Sequence, residues 1–106
     1  MSEFVLALST LNDRQKALEI AKILVEEKLC ACVNITSGVN SVYYWDGKIE
    51  NDEEFLMIIK TRKNLFDELK TRIQDLHPYE VPEIICTEIT DGNSSYLKWL
   101  DESVKK

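Results

Sequence analysis

A chain of 106 residues with 44% hydrophobic content is long enough to bury a core, and it leaves no room for a second domain. Its 19 acidic against 13 basic residues give a net charge of -6, a field that repels nucleic acid and anionic membrane surfaces. The three cysteines, Cys30, Cys32 and Cys86, are odd in number and lack Cys-x-x-Cys spacing, which argues against a disulfide framework and against structural zinc.

The opening Met-Ser-Glu-Phe-Val-Leu-Ala-Leu has no basic segment and too few apolar residues for a signal peptide, and no apolar run is long enough to span a bilayer. The expected location is the cytoplasm. Residues 4–9 form a short apolar run with aromatic and β-branched members, bounded by Thr10-Leu11-Asn12, and predict a buried strand. Asn12, with Gln15 three residues on, predicts a capped helix; Ala17, Leu18, Ala21, Leu24 and Val25 recur at helical spacing to about residue 28.

The stretch 42–49, Val-Tyr-Tyr-Trp-Asp-Gly-Lys-Ile, is a strong hairpin signal. Asp46-Gly47 supplies the positive-φ pair of a two-residue turn whose twist matches the flanking strands. One arm runs back toward Leu29 and the other forward to Thr61, with a bulge or bend near Ser37-Gly38. The fourteen residues of 48–61, at about 3.3 Å each, span about 46 Å, whereas a globule of this length has a diameter of about 33 Å. Such a hairpin overhangs its own domain, and its unpaired edges require cover from further copies: the chain is expected to be a homo-oligomer.

Leu65, Phe66, Leu69, Ile73 and Leu76 predict a second amphipathic helix that stops before Pro78. Residues 83–89 alternate as a strand, with Ile85, Thr87 and Ile89 on one side and Ile84, Cys86 and Glu88 on the other, until Asp91-Gly92 breaks it. A last helix from about Ser94, capped by Asn93 or Ser94, carries Leu97, Leu100 and Val104 on one face. The order βαββαβ plus a C-terminal helix is an α+β, ferredoxin-like split βαβ arrangement, one antiparallel sheet with two helices on one face. Phe55, Met57 and Ile59 alternate with Leu56 and Ile58, so this strand is apolar on both sides; the C-terminal helix or another subunit must cover the second.

Chemistry-bearing residues are few. His77 is the sole histidine and has two readings, a hydrogen-bonded loop anchor or, with Glu80, a donor to a cation. Cys30 and Cys32, two apart on a strand, share a face and would either pinch Cu(I) or fill the core; Cys86 reads as core. Lys60, Arg62 and Lys63 read as a solvated strand end and helix start. The pairs Glu53-Glu54 and Glu26-Glu27 diverge from each other on any regular element and read as solvated surface. No nucleophile elbow, phosphate loop, HExxH or dinucleotide fingerprint occurs, so an enzyme is not expected.

Five blocks, Ala31-Cys32-Val33-Asn34, Tyr43-Tyr44-Trp45-Asp46-Gly47-Lys48-Ile49, Lys60-Thr61, His77-Pro78-Tyr79-Glu80-Val81-Pro82-Glu83 and Tyr96-Leu97-Lys98-Trp99-Leu100, resemble the CutA divalent-cation tolerance family in order and spacing. The resemblance covers nearly the whole chain. It implies residues 1–106 as a single CutA-like domain, a homotrimer with long hairpins pairing between subunits, and a non-catalytic role in divalent-ion tolerance or homeostasis with copper as the first candidate ion. Copper-binding relatives typically carry a cysteine on the first strand and two histidines before Pro-Tyr, and those positions match Ser9, Leu76 and His77. Serine is a poor copper ligand and leucine none, so the metal candidates reduce to His77 and Glu80. Trp45 and Trp99 are expected to anchor the trimer interface, and Lys60, Tyr79 and Glu80 to line an inter-subunit cleft. The alternative is a trimeric signalling or scaffold module that binds a small metabolite or a protein partner at such clefts.

Overall fold

The computed structural model describes residues 3–105. Strand β1 (Phe4–Leu11) leads through helix α1 (Arg14–Glu26) into the hairpin of β2 (Cys32–Trp45) and β3 (Lys48–Arg62); helix α2 (Phe66–Leu76), strand β4 (Ile85–Ile89) and helix α3 (Ser94–Ser103) follow. The four strands pair antiparallel in the order β2-β3-β1-β4, which is the split βαβ sheet expected from the element order.

Alternation sorts the sheet into two faces. Val5, Ala7, Ser9 and Leu11 of β1 and Met57, Ile59 and Thr61 of β3 are buried. Ala7, Leu11, Met57 and Ile59 pack with Ala17, Ile20 and Leu24 of α1 and Leu69 and Ile73 of α2. These two helices bring their apolar stripes to one side of the sheet, and this core drives the fold.

The opposite face carries Leu6, Leu8, Leu56 and Ile58, all half-buried. At one end of it α3 docks: Leu100 is fully buried beside Ala31, Leu65, Val104 and Phe4, and Asp101 pairs with Arg62, whose guanidinium stacks 5.6 Å from the Phe4 ring centroid. The C-terminal helix thus accounts for part of the second apolar face, and the rest lies open within one chain.

The hairpin turn follows its local chemistry. Asp46 and Gly47 have φ of 53° and 76°, the pair of left-handed residues that a tight twisted turn demands. A register shift between Thr36 and Val39, with Gly38 at φ 78°, places one extra residue in β2 where the bulge was expected. The longest dimension is 45 Å against 25 and 23 Å across, so the hairpin does extend well past the packed body.

Several boundaries move. Asp13, not Asn12, caps α1, its carboxylate accepting the Lys16 N–H at 3.0 Å. The helix ends at Glu26 and not near residue 28, because Lys28 turns left-handed at φ 59°. Strand β4 begins at Ile85, two residues after the expected start, since the chain ahead of it leaves the edge of β1. Cys30 and Cys32 do not share a face: Cys30 precedes β2 and is buried in the helix-side core, whereas Cys32 is half-exposed on the strand opposite Lys60. Cys86 is exposed on the edge strand and not in the core.

Candidate functional site

Past Ile85 the edge of β1 has no strand partner, and the loop from α2 takes that place. His77 anchors it. The Tyr79 N–H donates to His77 Nδ1 at 3.0 Å, so Nδ1 is the acceptor and the ring proton sits on Nε2, which donates to the Thr10 carbonyl at 2.8 Å. The two rings meet edge to face, centroids 4.7 Å apart. Burial pulls the imidazole below its ordinary value, against opposing contributions from the Thr10 hydrogen bond and Glu54, which keeps this neutral, doubly engaged form in place.

Tyr79 carries the anchor on to the hairpin. Its hydroxyl donates to Glu54 Oε2 at 2.6 Å, and the Glu54 side chain, read from the sequence as solvated surface, belongs instead to a residue only 6% exposed. Two residues along β3, Asp52 accepts a hydrogen bond from the Tyr43 hydroxyl across the hairpin. Between hairpin and loop lies a groove of about 630 Å³, with Asp52, Glu54 and Tyr43 on the hairpin side and Tyr79, Glu80 and Glu83 on the loop side. None of its lining residues is basic. The local field shows in the phenols. Tyr43 is pushed up to about 12, chiefly by its bond to Asp52, and Tyr79 is raised by burial and then by Glu54.

The positions of a copper-type triad do not form a metal site. Ser9 is fully buried and its hydroxyl has no hydrogen-bond partner, Leu76 offers no donor, and both nitrogens of His77 are engaged. Among the described residues, no three His, Cys, Asp or Glu side chains converge to hold an ion. Cys30 lies apart from these residues in the core, where burial, with Cys32 adding to it, pushes its thiol up to about 12.

The remaining expected site residues scatter within one chain. Tyr79 and Glu80 line the groove, but Lys60 lies six residues along β3 from Glu54, about 20 Å away, and bonds to Asn34. Trp45 is 54% exposed at the hairpin tip and Trp99 45% exposed on α3, where its ring pairs with Tyr96 at 5.4 Å. Sequence reasoning missed Asp52, Glu54 and Tyr43. The signal was the i, i+2 spacing of Asp52 and Glu54, which puts both carboxylates on one face of a strand.

Residues 5–103 match the model of the CutA1 divalent ion tolerance protein family. The chain belongs to that family. A divalent-cation tolerance protein CutA of Thermus thermophilus is 48% identical over 103 residues, 97% of this chain and 98% of the relative. The chloroplastic protein CutA of Arabidopsis thaliana is 45% identical over 96 residues, 91% of this chain and 53% of the relative. A solved structure from Archaeoglobus fulgidus, described as the periplasmic divalent cation tolerance protein CutA, superposes with a TM-score of 0.93 at 39% identity, covering 96% of this chain and 99% of its own. These names correct the expectation of a cytoplasmic location: CutA relatives of this similarity are described as chloroplastic and as periplasmic, so membership in the family does not support a cytoplasmic address. Among the described residues no helix is long and apolar enough to cross a membrane.

Proposed function

We propose that this chain, as one domain over residues 1–106, serves divalent-cation tolerance as a homotrimer without catalytic turnover. The observation that carries the reading is the near-full-length match to the CutA1 family. The hairpin supports the assembly. Val42, Tyr44, Trp45 and Ile49 are 66%, 74%, 54% and 66% exposed, a concentration of large apolar side chains that a solitary soluble chain does not ordinarily present. Strands β2 and β4 are both open sheet edges, and Leu6, Leu8, Leu56 and Ile58 extend an apolar face beyond α3. Trp45 and Trp99 are the aromatic anchors of this proposed interface.

The loop from His77 to Glu80 holds the donors that the chain offers an ion there. For His77 to ligate, it must give up either the Thr10 carbonyl or the Tyr79 N–H, so a cation bound by His77 and Glu80 works against the loop's own hydrogen bonds and is held weakly. Titrating metal-free protein with Cu(II) and with Cu(I), while following the His77 ring by NMR, tests this. Saturable perturbation of His77 supports an ion at the loop; an unchanged ring up to millimolar copper ends the metal reading at His77 and leaves a role in tolerance exercised elsewhere. The second reading, a module for a small ligand at a cleft, is favoured by the groove beside Tyr79 and Glu80.

A further inference from the structure

The extra residue near Gly38 lies wholly in β2, so β3 runs unbroken from Lys48 to Arg62 and its even-numbered residues share one face throughout. Helices α1 and α2 leave that face uncovered, because the odd-numbered Met57 and Ile59 turn into the core beneath them. Charge along it is segregated. Glu50, Asp52 and Glu54 lie toward the hairpin tip, Leu56 and Ile58 in the middle and Lys60 at the root. Lys48 stands exposed beside the turn, and Arg62 is already paired with Asp101 and Glu3.

Both ends of this stripe lack a counter-charge inside the chain. Glu54, 6% exposed, accepts from the neutral Tyr79 hydroxyl and Asp52 from the neutral Tyr43 hydroxyl; among the described residues no cationic side chain pairs with either. Lys60 is half-buried, its ammonium donates to the Asn34 side-chain carbonyl, and its cross-strand neighbours are the uncharged Cys32 and Leu6. A charge drawn partly out of water is costly when no opposite charge meets it. Glu54 and Lys60 cannot relieve each other, since six residues of strand hold them about 20 Å apart. A second copy can bring them together. Two copies that met with their acidic ends side by side would add repulsion to the cost, whereas a root set against the next copy's hairpin removes it from both. A head-to-tail contact of that kind repeats around a closed ring. We propose that the open sheet face docks a second copy of this chain head to tail, Lys60 of one copy on the Asp52 and Glu54 carboxylates of the next. The inference rests on the homotrimer reading and deepens it, because it names the surfaces that meet and their order. The apolar residues supply the affinity, and the charges fix the orientation.

Sedimentation of the intact protein is the test, with the unsubstituted chain as reference. Lys60→Glu and Asp52→Lys each set like charges against one another and should weaken association about tenfold or more. The double variant Lys60→Glu/Asp52→Lys restores opposite charges with their places exchanged and should associate more tightly than either single variant, a coupling that unrelated sites do not show. Lys22→Glu, a reversal at an exposed position of α1, should change association less than about twofold. Circular dichroism on every variant separates lost assembly from lost fold. On the unsubstituted protein, carbodiimide coupling joins an ammonium to a carboxylate in contact with it and should link Lys60 to Asp52 or Glu54, pairs too distant to join within one chain. A solitary unsubstituted chain would overturn the homotrimer reading together with the proposal. A trimeric parent whose Lys60→Glu variant assembles as tightly, whose double variant is no tighter than the singles, or whose Lys60 couples to neither carboxylate would overturn the head-to-tail docking alone.

Discussion

Two buried polar side chains have opposite energetic roles. His77 satisfies both ring nitrogens and through them ties the loop to β1; Ser9, fully buried, has a hydroxyl with no partner. Replacing His77 by Ala strips two hydrogen bonds and leaves the Thr10 carbonyl unpaired, an expected loss of about 2 kcal/mol in urea unfolding. Replacing Ser9 by Ala removes a desolvated hydroxyl and keeps the volume, so the same experiment should show a gain of about 1 kcal/mol. The histidine also makes stability depend on pH. Its folded-state value lies below that of the unfolded chain because burial disfavours the imidazolium. The unfolded state therefore takes up the proton first, and the contribution is complete above the ordinary imidazole range and lost as pH falls through the folded-state value. The melting temperature of metal-free protein should drop between about pH 7 and about pH 5, and His77→Gln should flatten that drop.

At the scale of elements, what could be read in the chain divides by whether its cause is local. The hairpin turn was legible because positive φ at Asp46-Gly47 is a property of two residues, and the bulge because Gly38 relieves the same strain. The helices were legible from period, but their ends were not. Asn12 and Asp13 are both competent caps, and it is Asp13 that receives the Lys16 N–H. The start of β4 and the exposure of Cys86 depend on which strand is an edge, which no window of sequence contains. The groove was hidden for the same reason: Glu54 and Tyr79 are 25 residues apart, and nothing near either announces their contact. Two substitutions test the local causes. Gly47→Ala puts a side chain at φ 76° and should cost about 1–2 kcal/mol by urea unfolding, although no atom lies within 4 Å of the new Cβ. Leu100→Ala should cost about 2–5 kcal/mol by the same measurement, since it opens a cavity where α3 meets Phe4, Ala31 and Leu65.

For the whole molecule, the shape is the argument for assembly. A body 25 by 23 Å across carries a sheet that reaches 45 Å, and the excess length ends in Tyr44, Trp45 and Ile49, each more than half exposed. The proposed assembly would cover this apolar area, for which the described residues form no further element. Three copies of a 12.3 kDa chain should therefore sediment as one species of about 37 kDa at micromolar concentration. If the hairpin is what copies hold, Trp45→Ala should act on assembly before it acts on fold. The expected loss is about 2 kcal/mol per interface, roughly thirtyfold in each association constant. Helical circular dichroism should stay unchanged, because α1, α2 and α3 do not include the tip. Trp99→Ala discriminates further. Its ring already pairs with Tyr96 inside the chain, so the two substitutions weaken assembly alike only when α3 and the hairpin tip belong to one interface, and a variant of Trp99 that sediments as the parent does would confine the contact to the hairpin.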